Sequence, residues 1–182
     1  LIGFGLFSIL VAGIFILNQP DYKRMLAYSS IEHMGIIAFG VGIGGLGLYG
    51  AMLHLIHHSL LKSSLFLSAG NVVLGFGTKL VSHCGGLVRV LPRTAATLLA
   101  GFVGISGLPP FGAFVSELLI VLGAFRSGHP WAAALFIVTL LLVVAGFSRI
   151  ILAMAFGQQR EEVQIGEQPL RLVSPLVLLL TS

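Results

Sequence analysis

Six apolar runs, joined by short polar or glycine-containing connections, make up most of this chain. They cover roughly residues 1–17, 25–41, 49–74, 94–125, 131–156 and 172–182. Several approach the length of about 20 residues that a helix needs to cross a hydrocarbon core. Only 9% of the 182 residues are charged, against about 25% in an ordinary soluble domain. The mean hydropathy is +1.05. A chain this poor in charge cannot cover a water-facing surface. That excludes a soluble enzyme, a nucleic-acid binder and a disordered polymer. The expected fold class is all-α: a polytopic transmembrane helix bundle whose solvent is the lipid bilayer.

The ends and the charges refine this expectation. Leu1 lies inside one apolar run and Ser182 closes another, so the chain reads as a piece of a longer polytopic protein. The first run lacks a basic flank and a small-residue cleavage site, so it reads as a span rather than a signal peptide. The net charge of +4 follows from basic residues in the connections. The run 94–125 is interrupted at residues 107–112, and each half of about 15 residues would reach only about 22 Å. One broken helix crossing once is therefore expected. It puts Lys23, Arg24, Lys79, Arg89, Arg93, Arg160 and Arg171 on one side and Arg126 on the other. By the positive-inside rule the connections after the first, third and fifth spans face the cytoplasm. The expected location is the cell inner (plasma) membrane, as a multi-pass protein. Cys84 is the only cysteine, so neither a disulfide within the chain nor a cysteine-based zinc site is expected.

Ionisable side chains within spans are costly, and those present are functional candidates. His54, His57, His58 and Lys62 fall within nine residues of the third run. His54, His58 and Lys62, spaced i, i+4 and i+8, form one column on a helix. Histidine exchanges protons near neutral pH, and a lysine's charge responds to desolvation, so such a column suits a proton relay. A polar seam that joins helices by hydrogen bonds would also use these residues. Glu117 follows the break. It could cap a half-helix through the dipole, or line an ion site, as broken helices at membrane depth do. Gly107, Pro109, Pro110 and Gly112 supply the break, since proline removes an N–H and glycine admits unusual dihedrals. Glu32 and His33 in the second run are a candidate proton intake, or else a solvated helix end. Arg149 in the fifth run can snorkel to the interface or pair with a carboxylate such as Glu117.

Metal and cofactor patterns are weak. His54 is followed by Leu55, so the His-Glu-x-x-His zinc pattern is absent, and neither a metal nor a cofactor is expected. Haem ligation between facing helices would need His33 or another chain as the second ligand.

The stretch Asp21-Tyr-Lys-Arg-Met-Leu-Ala-Tyr-Ser-Ser-Ile-Glu-His-Met-Gly35 resembles a signature of the proton-conducting, antiporter-like membrane subunits. These occur in respiratory complex I, Mrp sodium/proton antiporters and energy-converting hydrogenases. The resemblance continues through His54-x-x-x-His58-x-x-x-Lys62, Ser68-Ala-Gly70, Gly85-Gly-Leu87, Leu108-Pro-Pro-Phe-Gly112, Ser116-Glu117 and Arg149. Residues 29–35 are most similar to the hydrogenase-4 component F type. The resemblance implies a relay of Lys62, His58, His54 and Glu117; Ser116, His57 and Arg149 are further candidates for supporting positions. It implies partners among the membrane and peripheral subunits of a hydrogenase or complex I-like assembly, and protons, with sodium as the alternative ion. A second half-channel would lie outside this chain. A haem-bearing electron-transfer subunit is the alternative of a different class.

Overall fold

The computed structural model describes residues 1–158, Gly166 and residues 170–182. Arg160, counted above among the basic connections, lies outside them. The described residues fold into helices α1 (Ile2–Leu17), α2 (Tyr22–Ile43), α3 (Gly45–Phe76), α4 (Leu87–Val90), α5 (Pro92–Ile105), α6 (Gly112–Arg126), α7 (Pro130–Phe156) and α8 (Leu170–Leu180). A short 3-10 turn, Val81–His83, sits between α3 and α4. The result is an all-α bundle in which α2, α3 and α7 are each long and apolar enough to cross a membrane.

The helix ends have local causes. Asp21 caps α2, accepting hydrogen bonds from the backbone N–H groups of Lys23 and Arg24 at 2.8 and 3.1 Å. Pro92 and Pro130 open α5 and α7, where a missing N–H costs nothing. Gly77, at φ 70°, ends α3. The glycines at 42–47 are expected to loosen the chain before a span near residue 49. Instead α3 starts at Gly45 and the bend is confined to Gly44 and Gly45, both at positive φ. Gly47 lies within α3, where an added methyl would meet Ile43 at 2.7 Å and the Gly40 carbonyl at 3.0 Å, so its missing side chain makes room for the end of α2.

Helix α6 also closes on this stretch of α3. A methyl group added at Gly123 would come within 2.5 Å of the Gly47 backbone nitrogen. Further along α3, one at Gly50 would meet Ser116 and Ile120 at 2.8 and 2.9 Å. Small residues let helix backbones close in lipid, where packing drives association.

The whole of α5, the break and α6 runs antiparallel along α3. Ser68 pairs with Thr97 through their hydroxyls at 3.0 Å, Leu65 packs on Gly101, and Leu61 packs on Gly104. Past the break His57 faces Gly112 and His54 bonds Ser116 at 2.9 Å. The pair is one discontinuous helix laid on a continuous one. Along α3, Leu61 to His57 spans four residue steps, while Gly104 to Gly112 spans eight. The surplus is taken up by the non-helical break, with Gly107 at φ 63° and a cis Pro109–Pro110 peptide bond.

Three of the connecting regions gather at one end of the bundle. The α1–α2 turn joins the segment after α3 through the Asp21–Leu80 bridge. It is also tied by Tyr22 N–H to the Lys79 carbonyl at 3.2 Å and by Val81 N–H to the Pro20 carbonyl at 2.9 Å. The end of α7 meets the same region, with Gly157 and Gln158 against Gly85.

The close α3–α6 crossing makes a prediction. Gly123→Leu should destabilise the protein by about 1–3 kcal/mol, the usual cost of overpacking, because its side chain would meet the backbone of Gly47. Gly3→Leu, where nothing lies within 4 Å, should leave stability unchanged. Thermal denaturation in detergent compares the two.

Candidate functional site: a polar line across three helices

Three helices bring the ionisable residues together. α2 presents Ser29, Glu32 and His33, buried on one face. α3 presents His54, His58 and Lys62, also buried. α6 supplies Ser116, which is buried, and Glu117, which is half-buried. The i, i+4, i+8 column of α3 thus faces the i, i+3, i+4 set of α2.

Lys62 lies at one end of this group of residues. Its Nζ donates to the Leu26 carbonyl at 2.7 Å and to the Ser29 hydroxyl. The Leu26 carbonyl also accepts from the hydroxyls of Ser29 and Ser30, at 3.2 and 3.3 Å. The His33 ring sits beside His58 at 4.7 Å between centroids and beside His54 at 5.2 Å. His33 Nδ1 and His54 Nε2 are 3.0 Å apart, and His54 Nδ1 is 2.9 Å from Ser116 Oγ.

These bonds fix the tautomers. The Ser116 hydroxyl donates to the Ala113 carbonyl at 2.7 Å, so its oxygen accepts from His54 Nδ1–H. His54 Nε2 is then an acceptor, and His33 Nδ1–H donates to it. His33 Nε2 is left facing Glu32 Oε2 at 3.3 Å. Glu32 and His33 can therefore trade one proton without disturbing any bond beyond them. The ring nitrogens His57 Nδ1 and His58 Nδ1, and Ser106 Oγ, are buried without a protein partner among the described residues. Such atoms are ordinarily satisfied by water.

The break shapes the other side of the site. The Glu117 carboxylate packs against Gly107, where an added methyl would meet it at 2.1 Å. Gly107 also needs its positive φ, so it both turns the chain and makes room for the carboxylate. Gly112 does the same for the His57 ring. A cavity of about 20 Å³ lies among Ser29, Glu32, His33, Ser106, Glu117 and apolar residues of α7, enough for one water. On its other flank Glu117 lines an open, mostly apolar cleft of about 360 Å³ between α6 and α7.

The placement differs from the expectation in two respects. His33, expected as part of an intake, is the hub that touches His54, His58 and Glu32. Ser29 joins the site as a partner of Lys62. Its signal was its position three residues before Glu32 on the same helix face. Of the two places expected for Arg149, it takes the one away from Glu117: it is exposed and lies with Asn18, Gln19, Pro20 and Ser82 at the end where these three regions gather. The haem alternative meets a steric objection at this pair. Iron between two histidines needs their nitrogens about 4 Å apart, twice a metal–nitrogen bond of about 2.0 Å, with a porphyrin between the rings. His33 and His54 are in direct contact.

Comparison with known proteins agrees with this architecture. The family described as "NADH:quinone oxidoreductase/Mrp antiporter, TM" matches residues 1–143. A hydrogenase-4 component F homolog of Methylacidiphilum infernorum is 38% identical over 157 residues, covering 86% of this chain and 33% of that protein. A chain of the membrane-bound sulfane sulfur reductase, an archaeal respiratory membrane complex, superposes with a TM-score of 0.89. It is 29% identical and covers 99% of this chain and 37% of that one. A chain of the Mrp complex from Dietzia sp. DQ12-45-1b superposes with a TM-score of 0.80 at 25% identity, covering 86% of this chain and 30% of that one. The chain spans about a third of the length of these relatives. It is a multi-pass membrane protein, and its relatives include subunits of multi-subunit membrane complexes.

The hydrogen-bond geometry is directly testable. His54 should be found in the Nδ1–H tautomer by solid-state 15N NMR of histidine-labelled protein, identified by the signal lost in His54→Gln. Ser116→Ala should remove that preference. Wild-type His54 protonated on Nε2 alone would contradict the assigned chain of bonds.

Proposed function

The chain belongs to the NADH:quinone oxidoreductase/Mrp antiporter transmembrane family, and from that premise we propose that it is part of a proton-translocating subunit. Its assembly is a membrane-bound hydrogenase or complex I-like complex in the plasma membrane, with its connections carrying Lys23, Arg24, Lys79 and Arg89 facing the cytoplasm. Electron transfer in partner subunits supplies the energy, and this chain supplies a route for charge.

One observation carries the reading: buried proton-exchanging groups from three helices gather around one small cavity. His58, His33, His54 and Ser116 follow one another at ring-contact or hydrogen-bond distance, with Glu32 on His33, and Lys62 bonds Ser29, which lines the cavity with Glu32 and His33. Groups this polar are expensive in a bilayer, and such clusters mark ion pathways. In the proposed cycle, redox chemistry in the partners changes the protonation of Lys62. The histidines and adjacent water pass a proton along the line. Glu117, placed between the small cavity and the open α6–α7 cleft, hands it on toward the outer face. Proton transfer along fixed hydrogen bonds needs only short shifts at each step, which the tautomer chain allows.

The test is proton movement in vesicles that carry the intact assembly. Lys62→Ala should abolish coupled proton movement while part of the partner's redox turnover survives. Normal pumping in that variant would reject the relay. His33→Gln should be as damaging as His54→Gln, because His33 is the hub. Glu117→Gln should reduce pumping more than Glu32→Gln. The likeness to the Mrp complex favours a second reading, sodium/proton exchange. A sodium dependence of proton movement in the same vesicles would select it.

A further inference from the structure

We propose that His33 Nδ1, His54 Nε2 and the Glu117 carboxylate form a binding site for a divalent transition-metal ion of the zinc class. One donor atom from each of the three lies within 4.8 Å of the others. The donors come from α2, α3 and α6, so no one helix carries the pattern, and a single-helix motif such as His-Glu-x-x-His would miss it.

The two histidines are already close to a coordinating geometry. Their facing nitrogens are 3.0 Å apart. Two nitrogens bound to one tetrahedral ion at about 2.0–2.1 Å each lie roughly 3.3 Å apart. Opening the pair by a few tenths of an ångström, and losing the proton held between them, turns a hydrogen bond into two metal bonds. The outward-facing ring nitrogens supply a second, independent argument. A metal-ligating histidine characteristically engages its other ring nitrogen with a carboxylate, carbonyl or hydroxyl, which fixes the ring and directs its lone pair at the ion. Both rings here meet that condition. His33 Nε2 faces Glu32 at 3.3 Å, and His54 Nδ1 donates to Ser116 at 2.9 Å. Each inward ring nitrogen is thereby aimed into the gap between the rings, and His33 Nδ1 offers a lone pair there once its proton has left.

Charge and space are also suitable. Two carboxylates, Glu32 and Glu117, offset the charge of a dication, and the Lys62 ammonium is turned away to the Leu26 carbonyl and Ser29. The adjoining cavity of about 20 Å³ has room for the water that completes a four-coordinate shell. Imidazole and carboxylate donors suit zinc and its neighbours, not magnesium or calcium, which prefer all-oxygen shells. Bound there, the ion holds the nitrogens through which a relayed proton must pass. Its effect on transport rests on the relay reading; its binding rests on the geometry alone.

The two are separated by measuring them independently in the intact assembly. Zinc-edge X-ray absorption is blind to other metals, and equilibrium 65Zn binding counts sites. Wild type should bind one zinc that is lost in His33→Gln, with a coordination shell containing two imidazoles. His54→Gln and Glu117→Gln should also lose it. Ser116→Ala should weaken it by roughly 10–100-fold as an outer-shell change, and His57→Gln should leave it intact. A wild-type assembly that binds no zinc sensitive to these variants overturns the proposal, whatever the relay variants do. Zinc that binds as described while proton movement continues supports the site and instead counts against the relay.

Discussion

Burying polar groups away from water is the cost that organises this bundle. In lipid, a helix satisfies its own backbone, and an interruption must be sheltered by protein. The interruption between α5 and α6 is laid against α3, which stays helical for 32 residues. α3 can therefore present its histidines and Lys62 opposite the break while its own backbone remains paired. The glycines at 107 and 112 admit the Glu117 carboxylate and the His57 ring into that interruption. The break and the ionisable residues thus share one location because each shields the other.

α2 gives the site its continuity. The column on α3 has a polar group once per turn, about 6 Å apart, too far for direct proton transfer. His33 sits between His54 and His58, and Ser29 receives Lys62. A second helix face, offset from the first, fills the gaps in a spaced column. The same offset turns two ring nitrogens toward one point, so the proposed proton route and the proposed metal seat share atoms.

Much of this was legible in the sequence, for identifiable reasons. The shortness of each half of 94–125 implied one interrupted crossing, and the antiparallel register along α3 has that form. The column His54–His58–Lys62 followed from helical spacing alone. The hub role of His33 did not. Spacing within one helix says which residues share a face but not which face meets it, and His33 acquires its partners only from the docking of α2 on α3. The expected looseness at residues 42–47 failed for a related reason. Glycine permits a bend, and Gly44 and Gly45 make one, but at Gly47 the missing side chain makes room for Ile43 and Gly40 of α2. Arg149 kept its ambiguity until the α1–α2 turn was seen beside it.

The Leu26 carbonyl has a further consequence. It is offered three side-chain donors, Lys62 Nζ and the hydroxyls of Ser29 and Ser30, while a carbonyl oxygen has only two lone pairs. The ammonium is therefore one of several interchangeable occupants. Without it, the serine hydroxyls would still cover the oxygen, and no acceptor would be stranded in the apolar interior. Lys62 is moored by a bond that the helix does not need back.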